Sequence, residues 1–285
     1  MDFSLSEERK MLQETVARFF ENSYNDIKKR SEYLDMNDGF SREFWKESSN
    51  LGVISGLISP SFGGLGGSGE DISIIFELIG KSLCIEPFLS SGLLSSTILS
   101  SIKNPKTELI NQIIEGELLV SFAHMEMNNR YEDHLVDTKA FLEDDNWKLN
   151  GSKSFVINGD SADKVIVSAR IDGEINDKNG IGLFLVDTNQ ITRRSYNTID
   201  GYRAAELNFD NVNAELLCKN DLALECIIKA NSAGALALSA EAVGIMQVCF
   251  DLTLDYLKTR KQFGKSIGAF QSIQHRMVDM MLEIE

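Results

Sequence analysis

The spacing of apolar residues changes twice along this chain, and this double change limits the fold more than any other feature. The first part carries apolar side chains three and four residues apart, as in Ile72, Ile75 and Ile79, which is the period of an amphipathic helix. The middle part instead contains short β-branched or aromatic runs between Asp, Asn and Gly turns. From Asp221 the helical period returns and continues to about Lys261 without a proline. The chain is therefore predicted to be helical, then β, then helical again.

Regularly spaced strands with no helical pattern between them favour an antiparallel sheet over alternating β-α units. We predict an α+β protein with an N-terminal helical domain, a central antiparallel β barrel or sandwich, and a C-terminal helical bundle. The predicted bounds of these domains are residues 1–118, 119–218 and 219–285. The predicted strands are Leu118–Glu126, Thr138–Leu142, Trp147–Ile157, Lys164–Arg170, Gly182–Val186 and Ala205–Phe209.

The last part of the sequence contains two predicted helices, which Gly264 separates. A helix from Asp221 to Lys261 would be roughly 60 Å long, because each residue adds about 1.5 Å. The second helix begins near Ala269, and the sequence ends at Glu285 within its amphipathic pattern. An amphipathic helix with no evident partner for its apolar face predicts an incomplete C-terminal bundle.

The stretch Asn231–Phe250 is apolar enough to raise the question of a membrane span. It is rich in alanine, glycine and serine, and Glu241 lies at its centre. Because a charge at the middle of a bilayer is costly, we interpret the stretch as a buried helix of a soluble protein, with no membrane span.

The charge balance and the cysteines bound the partners and the location. The chain has 28 lysines and arginines against 43 aspartates and glutamates, for a net charge of −15. A surface this acidic repels phosphate backbones and anionic lipid heads, so nucleic acid is not an expected partner. The four cysteines are widely spaced, without a CxxC pair or a secretory signal, which favours reduced thiols and a cytoplasmic location. The three histidines are too scattered to indicate a zinc site.

Residues Gly64–Gly69 match GxGxxG, the pattern of a dinucleotide-binding turn. The motif follows the apolar run Val53–Ile58 and precedes a predicted helix at Asp71, and Glu86 lies where a ribose-binding acid would be expected. However, three residues beginning with Pro60 separate the run from the glycines, and no second β-α-β unit follows. An NAD-binding protein that uses this segment is therefore a weaker alternative to an ordinary glycine loop between helices.

Several segments resemble those of the acyl-CoA dehydrogenase family. The most specific is Arg260-Lys-Gln-Phe-Gly264, followed by Phe270-Gln-Ser-Ile-Gln274. The segments around Arg203 and Arg130-Tyr131 are most similar to the small subunit of pimeloyl-CoA-type dehydrogenases. Further similar segments are Pro60-Ser-Phe-Gly-Gly-Leu-Gly-Gly, Asn150-Gly-Ser-Lys-Ser-Phe-Val-Ile-Asn-Gly, Asp200-Gly-Tyr-Arg-Ala-Ala-Glu-Leu and Ala240-Glu-Ala-Val-Gly.

This resemblance implies a helical, β and helical fold and an FAD-dependent acyl-CoA dehydrogenase. In that reaction a carboxylate removes the α-proton of an acyl-CoA thioester, and the β-hydrogen leaves as hydride to the flavin. Hydrogen bonds to the thioester carbonyl make the α-carbon acidic enough. The resemblance also implies a dicarboxylic or otherwise bulky acyl chain, a homo- or hetero-oligomer (dimer or tetramer), and electron-transfer flavoprotein as the electron acceptor.

Two strands of the β domain supply the implied flavin-ring contacts. These contacts are Phe122, His124, Met125, Phe155, Val156 and Ile157. By similarity Phe155 packs on the isoalloxazine ring, and an ordinary barrel-core aromatic is the alternative. Relatives usually carry a hydroxyl residue at the positions of Met125 and Ile157, so two hydroxyl bonds to the flavin are lost here. A backbone N–H near Met125 could replace one of them.

The implied contacts of the FAD pyrophosphate lie near the C-terminus. Arg260, Gln262 and Phe263 match the motif whose arginine meets the pyrophosphate across a subunit interface, and Gln271 matches a polar partner. A guanidinium suits a diphosphate because it offers paired donors and a fixed charge. The alternative is an exposed basic helix end, since lysines adjoin Arg260.

The catalytic base is not evident in the sequence. The resemblance places it either beyond Glu285 or at Gly234 on the long helix, where no side chain can act. Glu241 lies two turns further along and is a weak candidate whose alternative role is structural. Arg130 is a candidate for the acyl-CoA entrance, with a solvated arginine as the alternative. These gaps leave open a non-catalytic partner subunit of a heteromeric dehydrogenase.

Overall fold

A computed structural model describes residues 5–24, 26–129 and 131–285. They divide into two compact units. The terminal unit contains Met1–Asn25, Ser73–Cys84 and Ala237–Glu285, and the central unit contains Asp26–Ile72 and Ile85–Leu236. Among the described residues, the central unit holds the large β-sheet and most helices of the first third.

The first third is helical, as predicted. Its third helix shows the local cause: Ser41 accepts a hydrogen bond from the Phe44 amide as N-cap, and one face buries Phe44, Trp45 and Ser48. A buried π-helix and the next α-helix follow Pro87 without a break. The α-helices are α1 (Glu7–Ser23), α2 (Ile27–Leu34), α3 (Arg42–Asn50), α4 (Val53–Gly56), α5 (Gly69–Ser82), α6 (Ser96–Ser101) and α7 (Thr107–Ile114), with a 3₁₀ turn at Pro60–Phe62 and the π-helix at Phe88–Ser95.

The glycine segment Gly64–Gly69 is not a dinucleotide-binding turn, so the NAD alternative is wrong. The run before it forms the helix α4 rather than a strand. The amides of Leu65, Gly66 and Gly67 donate to the carbonyls of Ser55, Ile58 and Gly56, so they are not available to a pyrophosphate. A Cβ at Gly64 would lie 1.8 Å from the Ile58 carbonyl oxygen. The glycines thus let the loop fold back onto its own backbone.

The β domain is a closed set of strand pairings. Strand β4 pairs with β5 on one side and, on the other, with β1 and with a single residue of β2; β3 and β7 complete the cycle. Its interior buries Leu149, Val165, Val167 and Phe184 completely. The strands are β1 (Val120–Ala123), β2 (Lys139–Glu143), β3 (Asn146–Ile157), β4 (Lys164–Arg170), β5 (Ile181–Asp187), β6 (Thr192–Asn197) and β7 (Arg203–Lys219).

Two details of the sheet differ from the purely antiparallel prediction. Strand β1 pairs with β4 in parallel. The chain between them includes the antiparallel pair of β2 and β3, so it is long enough for the crossover that a parallel pair requires. Strand β6 was not predicted: its sequence Thr-Arg-Arg-Ser-Tyr-Asn is polar and exposed, as suits an edge strand that pairs only with β7.

The last part contains α8 (Asp221–Thr259), a short hairpin of β8 (Lys261–Gln262) and β9 (Lys265–Ser266), and α9 (Gln271–Ile284). Within the terminal unit, α5 and α8 approach through a pair of glycines. A Cβ at Gly80 would lie 2.1 Å from the Glu241 carbonyl oxygen, and one at Gly244 would lie 2.0 Å from the Glu77 carbonyl oxygen. Gly244 therefore lets α8 pack closely on α5.

Helix α8 is long and apolar enough to cross a membrane by length and composition alone, with a mean hydropathy of 1.6 in its most apolar window. Only 17% of that window is buried, so the expectation of a buried helix is wrong for the described part of the chain. A helix of 39 residues presents more surface than its close contact with α5 covers. Apolar side chains such as Leu238 and Leu252 remain exposed.

Candidate functional site

The end of β1 and the middle of β3 lie side by side in the central unit. The Ser154 amide donates to the Met125 carbonyl across 2.9 Å, and the Tyr196 hydroxyl donates to the Ser154 carbonyl across 2.7 Å. A register shift between Lys153 and Val156 interrupts the pairing of β3 with β7 at this place. Such a bulge releases side chains from the regular alternation, which is common next to active sites.

Lys153 projects from this bulge into the interior of the β domain and is fully buried. Its Nζ donates to the Glu126 Oε1 at 2.6 Å, the Ser168 Oγ at 3.0 Å and the His124 carbonyl oxygen at 3.2 Å. Burial lowers the pKa of Lys153 to about 8, against the opposing effects of Glu126 and Asp137. With a carboxylate at this distance, Lys153 is an ammonium at neutral pH.

Glu126 joins that ammonium to the loop that follows β1. Its carboxylate accepts from the amides of Asp137 and Thr138 and from the Thr138 hydroxyl, besides Lys153. Burial alone would raise the pKa of Glu126, but the charge of Lys153 and these hydrogen bonds hold it below its usual value. The Glu126 carboxylate therefore connects the two ends of the segment 126–138.

His124 is a buried, neutral imidazole. Burial and, to a smaller extent, the Lys153 charge lower its pKa to about 3, while Glu126 opposes this effect. Its Nδ1 lies 2.9 Å from the Ser168 Oγ, and its ring stacks on Phe122 with centroids 5.5 Å apart. The structure thus brings three of the sequence-predicted flavin contacts, Phe122, His124 and Met125, to one strand end.

The three predicted contacts on β3 have different surroundings. Phe155 is 36% exposed, so the alternative of a barrel-core aromatic is wrong. Val156 is fully buried in the core of the β domain and is not exposed to a ligand. Ile157 is half-buried at the end of the strand. An exposed aromatic ring beside a strand end fits the flat ring of a flavin.

The other predicted cofactor residues lie together in the terminal unit. Arg260 precedes the hairpin whose turn, Phe263 and Gly264, has positive φ at both residues, and Gln262 pairs with Lys265. Phe263 is 90% exposed and meets Phe270 edge to face, and Gln271 begins α9. Arg260 has no ion-pair partner among the described residues, which leaves its guanidinium available to a diphosphate.

A pocket of about 170 Å³ opens beside the loop 126–138. Glu126, Thr138 and Ile175 line it together with Asn129, whose buried Oδ1 has no hydrogen-bond partner in the described part of the chain. The buried Arg170 connects the segments on two sides of this pocket. Its guanidinium donates to five backbone carbonyls, those of His134, Val136, Ile175, Asp177 and Asn179.

The remaining predicted residues have separate surroundings. Arg130 lies outside the described residues. Glu241 is half-buried on α8, with its main-chain carbonyl against Gly80. Gly234 faces Leu94, which an added Cβ would approach to 3.0 Å. Arg203 is held by the Asp160 carboxylate at 3.0 Å.

Sequence reasoning missed the interior polar groups Lys153, Ser168 and Arg170. The available signal was a lysine at an inward position of an otherwise apolar strand face, inside the segment Asn150–Gly159 that carries the family resemblance. In the described residues no group of three or more His, Cys, Asp or Glu side chains could hold a metal ion.

Three family models match the chain. They are the N-terminal, middle and C-terminal domains of acyl-CoA dehydrogenase, over residues 6–117, 121–212 and 224–285. The third match includes most of α8, which assigns this apolar helix to that domain.

Relatives match along the same length. Probable acyl-CoA dehydrogenase YngJ of Bacillus subtilis (strain 168) is 30% identical over 298 residues, which cover 100% of this chain and 77% of the relative. The short-chain specific acyl-CoA dehydrogenase of Clostridium acetobutylicum is 27% identical over 301 residues, with 100% and 77% covered. The structure of butyryl-CoA dehydrogenase from Megasphaera elsdenii is similar with a TM-score of 0.88 and 24% identity, over 100% of this chain and 77% of that one.

The three domains and these matches define a flavin-dependent oxidoreductase with FAD as its cofactor. The chain belongs to the acyl-CoA dehydrogenase family. The predicted fold class, enzyme class and cofactor are therefore confirmed. Members of this family act on acyl-CoA and form oligomers.

Proposed function

We propose that this protein dehydrogenates an acyl-CoA with a dicarboxylic or otherwise bulky acyl chain, and that it binds its flavin at the end of β1. The observation that carries the site is the exposed Phe155 ring on the bulge of β3, joined to the β1 end by the bond between Ser154 and Met125. When bound, the flavin accepts the hydride that leaves the β-carbon of the acyl chain.

The residues of the chain bind and orient in this proposal. Phe155 offers a face to the ring system, and the backbone around Met125 supplies the polar contact that the lost hydroxyls would have made. By the family resemblance, Arg260 and Gln262 of the terminal unit meet the diphosphate of FAD across a subunit interface, with Gln271 as a further polar group. The buried Lys153 and Glu126 keep the strand end in one position, because neither can move without leaving a charge unpaired.

Cofactor retention tests this site. The full chain is purified without added flavin, and its visible flavin absorption is measured against protein. We expect Arg260→Ala to lose FAD and Phe155→Ala to shift the flavin absorption maximum, because the first removes the diphosphate donor and the second removes the ring's neighbour. Lys258→Ala, two residues before Arg260 on the exposed end of α8, is the matched control. Unchanged flavin content and spectrum in both variants would contradict the assignment.

The acyl-chain proposal is supported by the resemblance of the Arg203 and Arg130-Tyr131 segments to pimeloyl-CoA-type dehydrogenases. Because Arg203 is paired with Asp160, it does not serve a distal carboxylate itself. The test is dye reduction with straight-chain, branched and ω-carboxylated acyl-CoA thioesters of matched length. Preference for short straight chains would refute the proposal.

A second candidate is a partner subunit that leaves catalysis to another chain. The glycine at position 234, where the resemblance expects a base, favours this candidate. A purified chain that retains FAD but reduces no dye with any acyl-CoA supports this candidate. Turnover by the chain alone, abolished in Glu241→Gln, would refute it.

The further setting of the enzyme is also proposed. A homo- or hetero-oligomer, electron-transfer flavoprotein as acceptor and a cytoplasmic location follow from the family resemblance and from cysteines that are all free in the described residues. Light scattering, reduction of a purified electron-transfer flavoprotein and cell fractionation test these three points in turn.

A further inference from the structure

We propose that Lys153 is a positioning residue for this reaction. Through Ser168 it fixes His124 as a neutral imidazole with its proton on Nε2, and through the His124 carbonyl it fixes the strand end that faces the flavin. The last step rests on the flavin site proposed above, whereas the state of His124 does not.

The first step is the saturation of the Lys153 ammonium. An ammonium has three protons, and three acceptors surround this one: a carboxylate oxygen, a hydroxyl oxygen and a main-chain carbonyl oxygen. They come from the β1 end and from β4, while Lys153 itself lies on β3. The side chain is fully buried, so water does not compete for these acceptors. One buried cation therefore joins three strands at the predicted flavin-facing end of β1.

The second step is the direction of the bond between Ser168 and His124. The Ser168 Oγ accepts a proton from Lys153 and lies 2.9 Å from the His124 Nδ1. Ser168 is fully buried, and its hydroxyl has no other hydrogen-bond partner among the described residues. Donation from Ser168 to Nδ1 gives both the Lys153 ammonium and the Ser168 hydroxyl an acceptor, and it leaves the imidazole proton on Nε2.

The third step is the charge around the ring. The charged groups that act on His124 are Lys153, which opposes its protonation, and Glu126, which favours it. Lys153 and Glu126 neutralise each other, so burial decides the outcome and the ring stays neutral. The ring thereby keeps one N–H donor at the strand end at neutral pH.

The experiment uses the full chain labelled with ¹⁵N-histidine. There are only three histidines, and single His134→Gln and His275→Gln variants assign the other two. We expect the His124 nitrogen shifts of the Nε2–H form, unchanged between about pH 5 and pH 8, the range in which an ordinary histidine titrates. A charged His124, or an Nδ1–H form, in the unaltered chain would overturn the proposal.

Substitutions at Lys153 and Ser168 test the relay. Lys153→Met removes the charge, so His124 is expected to titrate inside that range, and Lys153→Arg is expected to restore a neutral ring. Ser168→Ala keeps the charge but removes the bond to Nδ1, so the ring is expected to stay neutral and to populate both tautomers. Lys148→Met, on the same strand beside Glu143, is the matched control with unchanged His124 shifts. If Lys153→Met does not fold, Ser168→Ala and Lys153→Arg still decide: a single Nε2–H form in Ser168→Ala refutes the relay.

The flavin-bound protein tests the last step. We expect Ser168→Ala to shift the flavin absorption maximum and to lower kcat by about tenfold, with KM within about twofold, because the loss acts on the reacting centre. Altered His124 shifts with unaltered flavin spectrum and kcat would overturn the positioning role. In that case an active, flavin-bound protein still shows that the proposed reaction stands. A chain without FAD or turnover refutes the proposed function instead, and the histidine shifts then still report on the relay.

Discussion

The buried pair of Lys153 and Glu126 makes a strong prediction about stability. The lysine side chain is fully buried and the glutamate side chain is 10% exposed. Removing one partner leaves the other as an uncompensated charge in the interior, which typically costs about 3–5 kcal/mol. We expect Lys153→Met and Glu126→Gln each to lower the free energy of unfolding, because each leaves one buried charge without its partner.

A double-mutant cycle isolates the pair. When both residues are replaced neither charge of the pair remains, so the double variant is expected to lose less than the sum of the single losses, by about 1–3 kcal/mol of coupling. Urea unfolding followed by tryptophan fluorescence suits this measurement, because both tryptophans, Trp45 and Trp147, lie in the central unit. Lys148→Met controls for loss of a lysine from the same strand. Single losses under about 1 kcal/mol, the ordinary value of an exposed ion pair, or simple additivity would refute the reasoning.

Further predictions concern acid, helix packing and the interior arginine. The pKa of His124 is about 3 in the folded chain against 6.5 when unfolded, so the unfolded state binds more protons and stability falls as the pH drops from about 6.5; His124→Asn should make the fall of the free energy of unfolding between pH 6.5 and 5 shallower in urea titrations, and an unchanged slope would contradict this. Gly244→Ala forces a methyl group against the Glu77 carbonyl and should cost about 1–3 kcal/mol or more, seen as a lower Tm, whereas an unchanged Tm would show that the two helices separate freely. Arg170→Met should leave five carbonyls without donors, increase protease cleavage within residues 171–180 and lower Tm, and an intact loop would refute that role.

The order of helices and strands could be predicted because the period of apolar residues is a local property. Strands β3 and β4, for example, lie within one residue of their predicted bounds. The edge strand β6 escaped because an edge strand need not bury a face, and its residues are polar. The parallel pairing of β1 with β4 escaped because strand direction depends on where a long connection leads, which spacing does not record.

The candidate site could be predicted only in part, for a related reason. The family resemblance selected the strand end at Phe122–Met125 and the bulge at Phe155, and the structure brings these segments together. It gave no reason to single out Lys153, because a lysine in a strand is ordinarily a solvated residue. Its burial depends on acceptors from Glu126 and Ser168, which lie 27 and 15 residues away in the sequence. The glycine motif misled for the converse reason, since its amides are used inside its own loop.

The five carbonyls around Arg170 have a consequence for how the loops of the β domain keep their order. Main-chain carbonyl oxygens are among the ligands with which proteins bind hard cations such as Ca²⁺. Here the cation is part of the chain, so it cannot be removed by a chelator or lost on dilution. The connection between β4 and β5 is thereby ordered from the moment the chain folds, independently of the ions that its surroundings supply.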